Sequence, residues 1–251
     1  MHRGRWIALA AVALMGGGCA SLPKTSADFT EVTKRMDVIA LMPPSFSLGE
    51  MGAFTGQAAT EISHDIEVEL GTAAGALIAE SRYKRATFDL SDSALAGDAE
   101  LRTAIFEQNQ AVEQVFKDLS KVRGKTLSLP YRGSIDLITD RTGAEYLLFL
   151  SGSGYFKTGG AVLKGFLLGG LAGGLSGNTQ TNLAGILVDG KTGRVVWYNA
   201  VEIQDRDPRK PSELMQTAQK LTAPLLGKSK LSPDHTRDQV IIDKLKKMKG
   251  A

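Results

Sequence analysis

Apolar positions follow two different periods along this chain. Short apolar or β-branched runs, typical of strands, lie at residues 37–42, 83–90, 146–150, 183–188 and 194–201. Apolar positions spaced by three and four, typical of amphipathic helices, lie at residues 60–81, 98–121, 134–142, 212–226 and 236–248. An irregular loop is expected at residues 43–56, and Ser212 is expected to cap a helix. The order predicts an α/β (mixed α+β) fold, a single three-layer-like domain with a mixed sheet.

The last two strands of the predicted sheet are joined by a turn-rich segment. Residues 189–193 read "DGKTG" and lie between "LAGILV" and "RVVWYNAV". Asp, Gly and Thr between two strand-like runs are typical of a β-hairpin. A late antiparallel hairpin is therefore expected within an α/β domain at residues 36–227.

A glycine-rich apolar insert, residues 157–180, interrupts two of the predicted strands. Four of its glycines recur at intervals of four, and two more form a parallel pair: Gly165, Gly169, Gly173 and Gly177, with Gly170 and Gly174. On a helix, such spacing leaves one side nearly bare and allows a second helix to approach closely. The insert could dip into lipid, pack against copies of itself, or lie over its own domain. These six glycines are the predicted oligomer or membrane contacts.

The N-terminus has the pattern of a secretory leader. Two arginines precede an apolar run, three small residues follow it, and Cys19 is the only cysteine of the chain. Residues 1–18 are therefore predicted to be a lipoprotein signal peptide, and Cys19 the acylated residue, with palmitate among its acyl chains. Residues 19–35 are expected to be a flexible tether. Ala20 follows Cys19 where an inner-membrane retention signal would have Asp, which favours the outer membrane, facing the periplasm.

Charge is unevenly distributed between the body of the chain and its end. Residues 228–251 hold seven Lys or Arg against three Asp, whereas residues 19–227 hold 21 basic and 24 acidic side chains. The end is predicted to be a basic C-terminal helix or tail that binds an anionic lipid or an acidic protein, or is simply a solvated helix. A periplasmic address makes nucleic acid an improbable ligand.

Sequence patterns that resemble catalytic or ligand-binding motifs lack the context that their chemistry requires. Gly185, Gly190, Lys191 and Thr192 match the phosphate-binding P-loop, but "GRVVWY" follows as strand, where a phosphate site needs a helix N-terminus. Ser63, His64 and Asp65 are adjacent on a predicted helix and point in different directions. Three histidines and one cysteine offer no metal-ligand spacing. No catalytic, metal or cofactor site is predicted, although acidic pairs can assemble in the fold.

A family resemblance joins several of these features. The N-terminal "GGGCA", the strand "DVIALMPP", the step "TGAEYLLFLSGSG" and the hairpin "GILVDGKTGRVVWYN" together resemble envelope lipoproteins related to CsgG, the curli-secretion lipoprotein, and the N-terminal domain of TolB. The resemblance implies a compact α/β domain that serves envelope assembly, export or cell-wall regulation without catalysis.

The sequence thus predicts a non-enzymatic, lipid-anchored outer-membrane lipoprotein. It would act as an adaptor for assembly, secretion or the cell envelope through contacts with an envelope protein or with copies of itself. The alternative is a periplasmic hydrolase whose acidic residues converge only in the folded chain.

Overall fold

The computed structural model describes residues 23–51, 57–86, 97–121, 135–157, 179–204, 206–240 and 243. Seven strands form one mixed open sheet: β1 (Lys24–Thr25), β2 (Val38–Leu41), β3 (Ser45–Met51), β4 (Lys84–Arg85), β5 (Tyr146–Lys157), β6 (Thr179–Asp189) and β7 (Arg194–Gln204). Their order is β1-β7-β6-β5-β2-β4, with β3 also paired to β5. The predicted mixed α/β domain is confirmed.

Helices cover both faces of this sheet. The described helices are α1 (Phe29–Arg35), α2 (Gln57–Glu80), α3 (Ala99–Lys121), α4 (Asp136–Thr142), α5 (Pro211–Leu226) and α6, which contains residues 236–240. One apolar cluster packs α1, α2 and α5 on the first face, around Leu148, Leu187 and Trp197. A second cluster packs α3 and α4 on the other face, around Leu147 and Phe149. The result is the expected three-layer arrangement.

The three long strands β5, β6 and β7 define the two ends of the sheet. β5 pairs antiparallel with β6 without a break, from Tyr146 opposite Asp189 to Phe156 opposite Thr179. β6 then turns into β7, as the "DGKTG" pattern predicts, and Gly193 adopts φ 64° in that turn. The sheet therefore has a turn end, near Asp189, and an insert end, where β5 stops and β6 begins.

Two segments form structure that the sequence pattern does not predict. They pair with strands that are distant in the sequence and have no strong hydrophobic pattern of their own. The tether predicted up to Arg35 is wrong for its second half: β1 pairs with β7, and Val32 of α1 is fully buried. The loop predicted at residues 43–56 contains β3, which pairs with β5 in parallel. β2 and β3 both pair with the same edge of β5, and Pro43 and Pro44 lie between them. The prolines end β2, but pairing along this edge of β5 continues in β3.

Several local predictions can be compared directly with the structure. The helix before Gly143 ends there as expected, with Gly143 in the left-handed region at φ 64°. Ser212 does not cap α5: Lys210 occupies the cap position without a side-chain hydrogen bond, and Ser212 lies inside the helix. Of the strand predicted at residues 83–90, Lys84 and Arg85 form β4, and residues 87–90 lie outside the described residues. Among the described residues, no helix has the length and apolar character to cross a membrane.

Candidate functional site at the insert end

The candidate functional site lies at the insert end of the β5–β6 hairpin, because both ends of the glycine-rich segment join the sheet there. Phe156 and Thr179 are paired neighbours, so residues 158–178 leave and re-enter the sheet from adjacent positions. Facing residues of an antiparallel pair lie about 5 Å apart. The insert is therefore the apex of a single β-hairpin, and its two flanks belong to one sheet, as the sequence predicts.

Cys19 and the six predicted contact glycines lie outside the described residues. So do most residues of the insert and the last part of the basic tail. Their roles remain predictions. The structure does describe the insert end of the domain, which we call the platform. It consists of the outer halves of β3, β5, β6 and β7, the connection from β7 to α5, and residues 227–240.

One face of this platform is tightly packed. Gly152 and Gly154 of β5 lie on the face covered by α2 and α5. A Cβ atom on Gly152 would stand 2.5 Å from the Phe46 ring, and one on Gly154 would stand 2.7 Å from the Pro208 ring. The side chains of Phe46 and Pro208 thus occupy the space above these glycines, and only glycine fits there without movement.

The other face of the platform forms an open groove beside α3, with a volume of about 560 Å³. Ser151 and Ser153 alternate with the two glycines along β5, and Ser153 is exposed. The groove is lined by residues of four strands, most of them small or polar, and by two residues of α3: Ser47, Ser151, Gly152, Ser153, Asn182, Leu183, Ala184, Ala200, Val201 and Glu202, with Glu113 and Phe116. The alternation Ser-Gly-Ser-Gly is the sequence signal that separates these two faces.

The outer edge of β3 is covered by side chains of α2. The backbone amide of Phe46 donates to Glu67 Oε1 at 2.9 Å, and that of Leu48 donates to Ser63 Oγ at 3.2 Å. Two α2 side chains thus accept hydrogen bonds from backbone amides that an uncovered edge strand would leave exposed. Ser63 and Glu67 therefore have a structural role, and the adjacent His64 is exposed, 3.6 Å from Glu67. Ser63, His64 and Asp65 form no catalytic triad.

A second cleft, of about 1050 Å³, lies at the turn end. Arg35 Nε donates to the Tyr146 hydroxyl at 3.2 Å, and its guanidinium lies 3.7 Å from the buried Asp189 carboxylate. The hydrogen bond to Tyr146 raises the pKa of Arg35, and burial raises the pKa of Tyr146.

The P-loop-like residues also lie at the turn end. The backbone amides of Lys191 and Thr192 both donate to Asp189 Oδ1, at 3.0 and 3.1 Å. Gly185 lies inside β6, and the strand β7 follows the turn. The amides that a P-loop would offer to phosphate are thus bound to a carboxylate, as expected for a hairpin turn. Among the described residues, no cluster of three or more His, Cys, Asp or Glu side chains could hold a metal ion.

Comparisons with known proteins give structural neighbours but no family. No protein-family model and no curated protein sequence matches the chain. The PelC dodecamer from Paraburkholderia phytofirmans is 13% identical, with 85% of this chain and 100% of that chain covered, at a TM-score of 0.40. Lipoprotein GNA1162 from Neisseria meningitidis is 11% identical, covering 85% and 97%, at 0.32. The LpoB C-terminal domain from Salmonella enterica is 13% identical, covering 70% and 92%, at 0.23.

These neighbours are bacterial envelope lipoproteins, and the resemblance to the CsgG and TolB group is not confirmed by them. All three TM-scores lie below 0.5, the range in which a shared topology is not established.

Proposed function

We propose that this protein is a lipid-anchored lipoprotein of the outer membrane, facing the periplasm. It acts as a non-catalytic adaptor in envelope assembly or export, through contacts with an envelope protein or with further copies of itself. Acylated Cys19 holds it on the membrane, and the apex of the β5–β6 hairpin is the element that contacts lipid or a neighbouring subunit.

The observation that carries the proposal is the direction of β1. β1 runs antiparallel to β7, with Lys24 opposite Tyr198 and Thr25 opposite Trp197. β7 runs from the turn end to the insert end, so β1 runs the opposite way and Lys24, its first residue, is the one nearer the insert end. Cys19 lies five residues earlier, a reach of about 17 Å. From Tyr198 to the end of β7 at Gln204 is roughly 20 Å.

The direction of β1 supports an anchor and an insert at the same end of the domain. A tether that continued in that direction would bring Cys19 close to the end of β7, on the side where the insert leaves the sheet. This supports a contact of the insert with lipid or with a neighbour on the same membrane more than a contact with its own domain.

The composition of the insert agrees with such a contact. Eight of the 19 residues from Gly159 to Gly177 are glycine. An isolated helix with this composition would be unstable in water, since each interior glycine costs about 1 kcal/mol relative to alanine. Close packing against a second element offsets that cost where glycines share one face. The glycine content of the insert therefore supports a close contact with a second element.

The anchor is tested by Cys19→Ser, expressed in a Gram-negative host with the native leader. We expect the variant to lose the mass of the acyl chains and to be released from the membrane fraction after salt washing. Continued membrane fractionation with an unshifted gel mobility would contradict lipidation.

The insert is tested by the double variant Gly169→Leu with Gly173→Leu. We expect loss of self-association or of insert-dependent membrane binding, with an unchanged thermal unfolding midpoint, because positions 169 and 173 belong to neither of the strands β5 and β6. Val162→Leu with Leu167→Ile is the matched control, since it alters the insert without occupying a glycine position. If the glycine variant keeps both its oligomer mass and its membrane association, the role given to the insert is wrong.

A further inference from the structure

The described part of the C-terminal tail, residues 228–240, folds back along α5. The Gln219 side chain donates a hydrogen bond to the Leu231 carbonyl at 2.8 Å, and the Ser212 backbone amide donates one to Asp238 at 2.9 Å. Later residues of the tail therefore meet earlier residues of α5. The helix and the tail run in opposite directions, so the chain must reverse between them.

The reversal takes place at Gly227 and Lys228. α5 ends at Leu226, and the Ser229 hydroxyl already donates to the Glu80 carboxylate at the end of α2. Gly227 has φ 90° and ψ 176°, a combination that residues with a Cβ atom avoid. An added Cβ would meet no atom within 4 Å, so the position needs glycine for its backbone conformation and not for space. The folded-back tail thus depends on a short hinge at a glycine.

α2 supplies one part of the surface on which the tail docks. The Ser229 hydroxyl and the Lys230 backbone amide both donate to Glu80. Arg237 forms an ion pair with Glu69, which lies about 16 Å earlier along the same helix. Burial raises the pKa of Glu69, and Arg237 opposes that shift by favouring the carboxylate. The tail therefore supplies the cation that this partly buried carboxylate needs.

α5 supplies the other part, and its first turn is completed by the tail. Lys210, at the cap position, makes no side-chain cap hydrogen bond. Asp238 instead accepts hydrogen bonds from the backbone amide and the hydroxyl of Ser212, at 2.9 and 2.5 Å. A carboxylate at this place satisfies an amide that has no partner within the helix and interacts favourably with the helix dipole. The α2–α5 surface is therefore incomplete until a tail docks on it.

We propose that the tail is exchanged between two copies of this chain, so that each tail docks on the α2–α5 surface of the other copy. Both copies carry the same tail and the same surface, so an exchanged tail makes the contacts described above. A short hinge favours exchange, because opening it releases Gly227 from a conformation that is costly for other residues. The exchange is reciprocal and forms a closed twofold dimer. This inference rests on the proposed function for one point, that copies of the chain meet.

The direct test co-expresses two differently tagged full-length chains, one with Glu69→Cys and the other with Arg237→Cys. Both carry Cys19→Ser, so each has a single thiol. With a short bifunctional maleimide, we expect a link between position 69 of one chain and position 237 of the other, identified by mass spectrometry. Co-expression of Glu69→Cys with Lys191→Cys is the control for chance collision. No interchain 69–237 link, or a link no more abundant than that of the control, would overturn the proposal.

The hinge is tested by Gly227→Val, with Gly143→Val as the matched control. Both glycines have positive φ and open space at the Cβ position, but only Gly227 precedes the tail. We expect Gly227→Val to raise the dimer-to-monomer ratio about fivefold or more, because valine disfavours the closed hinge. Gly143→Val should change the ratio less than twofold. Sedimentation velocity measures the ratio, and circular dichroism shows that both variants are folded.

A longer hinge should act in the opposite direction. Insertion of Gly-Ser-Gly-Ser after Gly227 lets the tail reverse without the special conformation, so the dimer-to-monomer ratio should fall below that of the unsubstituted chain. Equal ratios in the two valine variants, or a ratio that rises on insertion, would overturn the proposal.

The outcomes separate this inference from the proposed function. The cross-linked chains carry Cys19→Ser, and the tail contacts involve no residue of the insert. Loss of the interchain link, with acylation of Cys19 and the effect of the Gly169→Leu, Gly173→Leu variant intact, would overturn this inference alone. A persistent link, with no acylation of Cys19 and no effect of the glycine variant, would overturn the proposed function alone.

Discussion

The two ends of the sheet are built in opposite ways. At the turn end, short connections and side-chain contacts tie the elements to one another: Asp189 binds the turn that follows it, Arg35 contacts Tyr146, and Arg194 pairs with Asp28. At the insert end, the strands carry Ser151, Ser153 and other small polar residues, and they lead into the glycine-rich apex.

The difference separates what holds the fold from what is available for contact. At the turn end these polar side chains bind other groups of the domain. At the insert end one face of the sheet is tightly packed and the other is open. A membrane adaptor needs such a division, because its contact surface must tolerate change without unfolding the domain. The predictions below test this division.

The largest effect is expected for Gly152→Val, on the packed face of the insert end. The new side chain would meet the Phe46 ring at 2.5 Å and Leu183 at 2.6 Å, so the unfolding free energy should fall by about 1–3 kcal/mol. Ser153→Val, one residue away on the open groove, is the control and should change it by less than about 0.5 kcal/mol. Urea denaturation measures both. Similar values for the two variants would show that the faces do not differ.

A smaller effect is expected for Glu67→Ala, which removes the acceptor of the Phe46 amide at the edge of β3. An amide left without a partner costs about 1–2 kcal/mol, and an uncovered edge favours strand pairing between chains. Glu67→Gln keeps an acceptor oxygen and is the control. Denaturation and light scattering should distinguish the two. Indistinguishable variants would mean that α2 does not protect this edge.

The smallest effect is expected for Asp28→Asn at the turn end. Arg194 lowers the pKa of Asp28 below its usual 3.8, so the carboxylate stabilises the fold above that pH and loses this contribution as the pH falls through the lower folded value. The pair is half exposed, so the loss at pH 6 should stay below about 1 kcal/mol. The gap to the unsubstituted chain should narrow as the pH falls below 3.8 and close once the carboxylate is protonated in the folded chain. A gap that persists at that point would mean that the carboxylate charge is not the cause.

The sequence predicts the long elements well, because their periodicity is strong. The α2 and α3 stripes, the end of α4 at Gly143, and the β6–β7 hairpin all follow from local pattern. β1 and β3 could not be predicted, because two residues opposite Tyr198 and Trp197, and seven residues after a Pro-Pro pair, carry too little local signal. Their structure depends on strands more than a hundred residues away.

The tail and the groove were missed for a similar reason. Contacts such as Asp238 with Ser212 and Arg237 with Glu69 join residues that are far apart in the chain, and a basic C-terminal helix looks the same in sequence whether docked or free. The Ser-Gly-Ser-Gly alternation of β5 was the available signal for the groove. The glycines of the insert and Cys19 remain predictions from sequence.

The central claim, that the insert end faces the membrane, is tested most directly by the depth of two fluorescent labels. Once Cys19 is acylated the chain has no other thiol, so Gln204→Cys and Lys191→Cys each give a single labelling site, one at each end of the sheet. With the lipidated protein in vesicles that contain a quenching lipid, the label at position 204 should be quenched and the label at position 191 should not. Equal quenching, or stronger quenching at position 191, would contradict the account.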